Sequence, residues 1–151
     1  MRPSFDEYFM AIAKAVSSRA TCKRRKVGAV VVSDGRILST GYNGSIKRLG
    51  HCTDVDCLME DGHCIRTVHA EANALVQAAN NGVALKGGTI YTTASPCWNC
   101  FKLIANAGIV RIVYADKYDG KEDGKAHFIK YAEIAEIEVK HQPMEVDRGR
   151  D

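Results

Sequence analysis

The second half of the chain alternates helical and strand patterns, and this alternation constrains the fold more than any other feature. The predicted elements are a helix at 67–80, a strand at 88–94, a helix at 95–108 and a strand at 109–115. Successive parallel strands of one sheet are joined by crossover connections, which are usually helices. The pattern therefore predicts an α/β domain with a partly parallel sheet.

The ends of these two helices carry recognisable signals. Asn81-Gly82 ends the first, because a residue of left-handed conformation commonly follows the last turn of a helix. Ser95 is the predicted N-cap of the second helix, Pro96 fills its first position and Gly108 closes it.

The first half of the chain predicts a helix followed by a hairpin. Residues 4–19 carry an apolar stripe of helical period, with Ser4 as N-cap. A strand at 27–32, a turn at Asp34-Gly35 and a strand at 36–41 form the hairpin. Near the end of the chain, a helix at 124–133 and a strand at 136–140 complete the predicted elements.

The length of 151 residues fits one domain, which we place at 1–140, with 141–151 as a mobile tail. Residues 43–66 form a Cys/His-rich insertion that has no hydrophobic run to hold it, so we expect it to be functional or tethered. No apolar run is long enough to cross a bilayer, and the N-terminus lacks signal-peptide features. We therefore expect a cytoplasmic protein without a membrane partner.

The strongest chemical signal is His69-x-Glu71 followed by Pro96-Cys97-x-x-Cys100. Among the six cysteines of the chain, Cys97 and Cys100 are three apart at a helix start, so both can reach one ion. In a reducing compartment such cysteines indicate metal binding or catalysis. With the His69 imidazole they provide three protein ligands and leave a fourth position for water, which is the pattern of a catalytic zinc site.

Glu71 is the natural general acid and base of such a site. It would take a proton from the zinc-bound water, deliver it to a ring nitrogen and assist the leaving amine. Regular helix geometry presents a difficulty, because residues two apart point about 200° apart around the axis. Helical periodicity alone therefore does not bring His69 and Glu71 to one pocket.

Several stretches resemble the deoxycytidylate (dCMP) deaminases of phages and bacteria. They are "ATCKRRKVGAVVV", "GYNGS", "GHCIRTVHAEANAL" and "IYTTASPCWNCFKLIANAGIVRIVY", and the resemblance covers roughly residues 5–118. It implies a cytidine-deaminase-like fold, a three-layer α/β sandwich in which a five-stranded mixed sheet is flanked by helices.

The resemblance also implies roles for individual residues. It makes Glu71 the proton carrier and matches the family's zinc ligands to His69, Cys97 and Cys100. The implied substrate contacts are Asn43 to the sugar, the backbone of Ala70 and Ser95 to the cytosine edge, and Tyr118 near the base.

The activity implied by the resemblance is hydrolysis of dCMP to dUMP and ammonia, which supplies thymidylate synthesis. Similar enzymes are commonly homohexamers that dCTP activates and dTTP inhibits, with Mg²⁺ accompanying the triphosphate. The expected ligands are thus small nucleotides and not nucleic acids.

The remaining cysteines and two histidines suggest a second zinc. Some related dCMP deaminases have such an extra ion, and closed Cys/His sites are the usual structural form. By position the preferred set is Cys22, Cys52, Cys57 and His63. Cys64 or His51 could replace one member, and free thiols in a loop are the alternative.

Four of the twenty-one basic residues are concentrated in "CKRRK" at 22–26. Arg24, Arg25 and Lys26 are candidate contacts for the phosphate of a substrate or of an effector. A solvated turn is the alternative interpretation of this segment.

Two rival functions remain open on the sequence. A tRNA or other nucleic-acid base deaminase of the same fold would need a basic surface lined with aromatic side chains, and aromatic residues make up only 7% of the chain. An inactive, zinc-stabilised interaction module would have no use for Glu71.

Overall fold

The computed structural model describes residues 1–117 and 125–144. The helices are α1 (Phe5–Ser17), α2 (Cys52–Val55), α3 (Ala70–Asn80), α4 (Trp98–Asn106) and α5 (Lys125–Ile134). The strands are β1 (Gly28–Ser33), β2 (Arg36–Tyr42), β3 (Gly44–Ser45), β4 (Met59–Glu60), β5 (His63–Cys64), β6 (Thr67–Val68), β7 (Thr89–Ala94), β8 (Arg111–Asp116) and β9 (Glu138–His141).

The central sheet has five strands in the order β2-β1-β7-β8-β9. Strand β1 is antiparallel to β2 and β7, whereas β7, β8 and β9 are parallel. This arrangement confirms the predicted mixed sheet and its crossover helices. The parallel part follows from α4 and α5, which connect its successive strands.

Helices cover both faces of the sheet, because side chains along each strand alternate between the faces. On one face Val31, Ile90 and Ile112 pack in a core with residues of α3, α4 and α5. On the other face Val30 and Val113 pack with buried residues of α1. The three-layer sandwich expected from the resemblance is therefore confirmed.

Local signals in the first half of the chain have the predicted effects. The Ser4 side chain accepts a hydrogen bond from Glu7 N, and the Glu7 carboxylate accepts one from Ser4 N, forming a capping box for α1. Asp34 and Gly35 have φ values of 50° and 72°. Positive φ at both central residues gives the twist that a tight hairpin needs between β1 and β2.

Both predicted helix starts near the motifs are wrong by two or three residues. Helix α3 begins at Ala70 and not at Thr67, because Thr67–Val68 forms β6 and pairs with β3. Helix α4 begins at Trp98 with Cys97 as its N-cap, so Ser95 is not the cap and Pro96 lies before the helix. Pairing of β6 with β3 keeps the backbone before α3 extended. Before α4, the backbone is extended as far as Cys97, whose side chain caps the helix by accepting a hydrogen bond from Cys100 N.

The C-terminal described segment remains attached to the sheet beyond residue 140. His141 pairs with Tyr114 in β9, and Gln142 N donates a hydrogen bond to Tyr114 O at 2.8 Å. Met144 packs against the core on the α1 face. Within residues 1–117 and 125–144, no helix has the length and apolar character that a membrane crossing requires.

The insertion at 43–66 has little hydrophobic support. It contains α2 and the β4–β5 hairpin, and residues such as Leu49, Val55 and Met59 expose about half of their surface. Its buried residues include Cys52, which is fully inaccessible. The insertion therefore depends on polar contacts and on its thiols.

Candidate active site

The N-terminus of α3 is pressed against strand β2. A Cβ atom on Gly41 would overlap Ala70 O and Ala74 N, so only glycine permits this approach. The Asn73 side chain also donates a hydrogen bond to Tyr42 O at 2.8 Å. These contacts fix the start of α3, and with it the residues on either side of Ala70.

The side chains of His69, Cys97 and Cys100 come together where β6 and β7 lead into α3 and α4. The Nδ1 atom of His69 lies 3.5 Å from the Sγ atoms of both Cys97 and Cys100. All three potential ligand atoms lie within 4.8 Å of one another. Cys97 Sγ also accepts a hydrogen bond from Cys100 N at 3.4 Å.

This donor set fits a zinc ion. Two thiols and an imidazole are ligands that zinc prefers, and three protein ligands leave one coordination position free. The Cys100 thiol and the His69 ring lower the pKa of the Cys97 thiol to about 4, which favours the thiolate form that binds metal. The helix N-terminus at Cys97 stabilises the same negative charge.

Glu71 lies beside this group in a buried position, with 4% of its surface exposed. Burial raises the pKa of its carboxyl to about 7, so the group can both hold and release a proton near neutrality. The predicted geometric difficulty disappears because His69 is not helical. It is the N-cap of α3 with extended backbone (φ −66°, ψ 151°), so helical spacing does not apply to the pair.

A cavity of about 530 Å³ opens over these residues. Of the expected substrate contacts, Asn43, Ala70 and Ser95 line it together with Glu71. Ala70 is the first residue of α3, where backbone N–H groups have no partner within the helix. Tyr118 lies outside the residues that the structure describes.

Asn43 has a second task besides lining the cavity. Its side chain accepts a hydrogen bond from Val27 N and donates one to Arg25 O, both at 2.8 Å. The backbone of Asn43 accepts a further bond from Thr21 N at 3.1 Å. Asn43 thus ties the basic segment before β1 to the end of β2.

The insertion brings three thiols together. Cys52, Cys57 and Cys64 have their Sγ atoms within 4.8 Å of one another, which includes the residue that the sequence left as an alternative. Within the described part of the chain, neither Cys22 nor His63 belongs to this group. His63 lines the catalytic cavity instead, and so do Cys22 and Cys64.

Two of the three candidate phosphate contacts reach the cavity. Among the described residues that line it are Arg24 and Arg25, whereas Lys26 is exposed and is not one of them. The sequence interpretation missed Asp61 and Gly62, which also line the cavity. Asp-Gly is a strong hairpin signal, and their φ values of 47° and 80° are those of a tight turn between β4 and β5.

Comparison with known proteins also indicates a zinc-binding site. The family described as the cytidine and deoxycytidylate deaminase zinc-binding region matches residues 3–116. ComE operon protein 2 of Bacillus subtilis is 48% identical over 117 residues, which are 78% of this chain and 62% of that protein. The chain thus spans less than two thirds of that relative.

Phage proteins match over more of their own length. Deoxycytidylate deaminase of Mycobacterium phage D29 is 42% identical over 125 residues, covering 75% of this chain and 95% of that protein. The crystal structure of dCMP deaminase from cyanophage S-TIM5, in complex with dCMP and dUMP, matches with a TM-score of 0.80 and 35% identity. That match covers 94% of this chain and 99% of the phage chain. The chain therefore belongs to the cytidine and deoxycytidylate deaminase family.

Proposed function

We propose that this protein is a hydrolase that deaminates dCMP to dUMP and ammonia in a zinc-dependent reaction. The observation that carries the proposal is one cavity lined by a buried carboxylate, two arginines and two members, His69 and Cys97, of a three-residue candidate metal group. The similarity to phage dCMP deaminases, one of them solved with dCMP and dUMP, supports the choice of substrate.

The metal ligands in this proposal are His69 Nδ1 and the Sγ atoms of Cys97 and Cys100. Zinc bound there would lower the pKa of a coordinated water toward about 7 and so supply a nucleophile near neutral pH. The two helix N-termini that bear His69 and Cys97 fix the ligands relative to the sheet.

Glu71 moves the protons. Its carboxylate accepts a proton from the nucleophilic water and donates it to N3 of the cytosine ring as the C4–O bond forms. It then takes the remaining proton from the C4 hydroxyl group and gives it to the 4-amino group. The C4–N bond breaks as the C4 carbonyl forms, and ammonia leaves. Burial supports this role, because it raises the pKa of Glu71 to about 7.

The base and sugar would be held largely by backbone. The Ala70 N–H group donates to the pyrimidine carbonyl and the Ser95 carbonyl accepts from the 4-amino group, while Asn43 contacts the sugar. Arg24 and Arg25 provide positive charge for the 5′-phosphate.

A second, structural zinc binds Cys52, Cys57 and Cys64 in the same proposal, with Cys22 as the fourth ligand. Support for Cys22 comes from its burial and from its electrostatic effect on Cys57. Desolvation raises the pKa of the Cys57 thiol, and the nearby Cys64 and Cys22 thiols add to the increase. A closed four-thiolate site would supply the tether that the insertion lacks.

Activation by dCTP, inhibition by dTTP, Mg²⁺ bound with the triphosphate and a homohexameric assembly are further proposals that rest on the family resemblance. A cytoplasmic location fits the six free cysteines, which a reducing compartment would preserve. Initial rates against dCMP with each triphosphate test the regulation, and sedimentation tests the assembly.

Ammonia release from zinc-loaded protein tests the activity directly. We expect turnover of dCMP and none of cytosine- or adenine-containing oligonucleotides. Turnover of a tRNA anticodon stem-loop without turnover of dCMP would show a nucleic-acid base deaminase instead. Silence toward every free cytosine nucleotide would favour the interaction module.

A further inference from the structure

The guanidinium group of Arg24 is bound to the insertion. Its Nη1 atom donates a hydrogen bond to Gly62 O at 3.1 Å and lies 3.6 Å from the sulfur of Met59. A guanidinium group carries several N–H donors in a rigid planar fork, so the bond to Gly62 limits the directions in which its other donors point.

The β4–β5 hairpin that holds Arg24 is also a wall of the catalytic cavity. Arg24, Gly62 and His63 line the same cavity as Glu71. Asp61 adds one carboxylate to this wall, and its side chain, like that of Arg24, is exposed to solvent, which screens both charges. With Arg25 also in the lining, this side of the cavity suits an anion.

The place of the hairpin depends on polar contacts more than on packing. Leu58 and Met59 each expose 49% of their surface, so burial contributes little. Ile65 N donates a hydrogen bond to Leu58 O at 2.8 Å, and Arg66 Nε donates one to Asp56 O at 3.1 Å. A disturbance of the insertion would therefore move Gly62 and the guanidinium group bound to it.

We propose that Arg24 is the specificity-determining residue for the 5′-phosphate and that the β4–β5 hairpin positions it through Gly62. This inference rests on the proposed function and narrows it, because it assigns the choice of nucleotide over nucleoside to Arg24. A guanidinium group that is held through Nη1 can still present its other N–H groups to two phosphate oxygens. Deoxycytidine offers no such oxygens.

Steady-state kinetics of Arg24→Met with dCMP and with deoxycytidine test the assignment. We expect kcat/KM for dCMP to fall about 10- to 100-fold, mainly through KM, as for loss of a charged hydrogen bond. We expect kcat/KM for deoxycytidine to stay unchanged. For Arg24→Lys, kcat/KM for dCMP should lie between those of wild type and Arg24→Met, because lysine keeps the positive charge but lacks the planar guanidinium group. Equal losses for both substrates would overturn the proposal.

Lys26→Met is the matched control for charge. It removes one positive charge from the same segment, but Lys26 is exposed and not part of the described cavity lining. We expect its kcat/KM for dCMP to stay within about twofold of wild type. A loss as large as that of Arg24→Met would assign the effect to general electrostatics and contradict a specific contact.

Gly62→Ala tests the positioning role. Gly62 has φ +80° and a Cβ there would meet no described atom within 4 Å, so the substitution strains the turn without a clash. We expect KM for dCMP to rise while kcat is retained. Gly82→Ala is the control, since Gly82 also has φ +65° and open space. Equal KM values for the two variants would contradict positioning by the hairpin.

Calorimetric titration of zinc-loaded protein with dUMP and deoxyuridine separates this inference from the proposed function. Arg24→Met should weaken dUMP binding about 10- to 100-fold and leave deoxyuridine binding unchanged. If wild type binds dUMP by Arg24 and deaminates nothing, the proposed function fails and the inference holds. If Arg24→Met binds dUMP as wild type does, the inference fails. If wild type binds no dUMP, both fail.

Discussion

His69 and Cys97 are both N-cap residues of helices, and Nδ1 of His69 lies 3.5 Å from Sγ of Cys97. Each residue lies where extended backbone gives way to helix, so helical periodicity does not set the direction of its side chain. Two helix N-termini, whose caps are 28 residues apart in the chain, thus meet at one group of candidate metal ligands. The positive helix ends there favour the thiolate of Cys97.

Removal of the Glu71 carboxylate should abolish turnover and leave the fold intact. Glu71→Gln keeps the shape of the side chain but cannot carry the proton, so we expect kcat to fall by at least about 10²- to 10⁴-fold. Metal analysis should still find the wild-type zinc content. The control is Glu133→Gln on the exposed surface of α5, which should be fully active. Turnover above one tenth of wild type in Glu71→Gln would contradict the role of Glu71.

Metal analysis of single-ligand variants should separate the two zinc sites. We expect two equivalents per chain in wild type and one in both Cys97→Ser and Cys64→Ser, because each change removes a ligand from a different group. Only Cys97→Ser should lose the catalytic ion. One equivalent in carefully purified wild type would refute the second site.

His63→Gln decides between the alternative ligand sets of the second site. The structure places His63 in the wall of the catalytic cavity and outside the thiol group of the described residues. We therefore expect His63→Gln to retain two zinc equivalents. Cys22→Ser should retain one, because Cys22 is the proposed fourth ligand and acts electrostatically on the Cys57 thiol. The reverse result would restore the set with His63 as ligand.

Acid should destabilise the protein through Asp6, whose carboxylate binds Arg111 Nη1 at 2.8 Å and Lys140 Nζ at 2.6 Å. The Arg111 guanidinium, with Lys140 and Tyr91, holds the pKa of Asp6 well below its usual range. Its contribution is therefore full above the unfolded-state pKa of about 4 and is lost as the pH falls through the lower native pKa.

Asp6→Asn tests this linkage by urea unfolding. At pH 7 we expect a loss of about 2 kcal/mol in the free energy of unfolding, less than for a fully buried ion pair, because the Lys140 and Arg111 side chains are partly exposed. The difference from wild type should shrink steadily below pH 4. Asp54→Asn, an exposed side chain in α2, is the control and should show no such trend. A constant difference between pH 7 and pH 2.5 would contradict the linkage.

Gly41→Ala should weaken both the fold and the metal site. Its Cβ would overlap the backbone of Ala70 and Ala74, which forces α3 away from β2. We expect a loss of about 1–3 kcal/mol or more in the free energy of unfolding, together with a weaker affinity for zinc. Gly82→Ala, with open space around its Cβ, should lose only the energy of its left-handed conformation. Equal zinc affinities in the two variants would contradict a link between this packing and the site.

Local signals in the sequence predicted most of the elements. The capping box of α1, the Asp34-Gly35 turn and the glycine after α4 act through neighbouring residues, so the short-range sequence contains their cause. The start of α3 was misplaced because a long-range contact decides it, whereas the start of α4 was misplaced because the Cys97 side chain, and not that of Ser95, caps the helix. Strand β6 exists through its pairing with β3, which lies more than twenty residues earlier in the chain.

By itself, the sequence determined the alternation that gives a mixed sheet, and it indicated the candidate ligand types and the candidate proton carrier, since these depend on residue identity and spacing. The tertiary structure decided which groups meet. Cys64 lies with Cys52 and Cys57, and His63 lines the cavity and not the thiol group of the described residues. Arg24 donates a hydrogen bond to Gly62 O. The thiol group arises from the folding of the insertion on itself, and the Arg24–Gly62 contact joins the insertion to the basic segment. Neither kind of contact leaves a periodic signal in the sequence, because irregular loop backbone sets the distances.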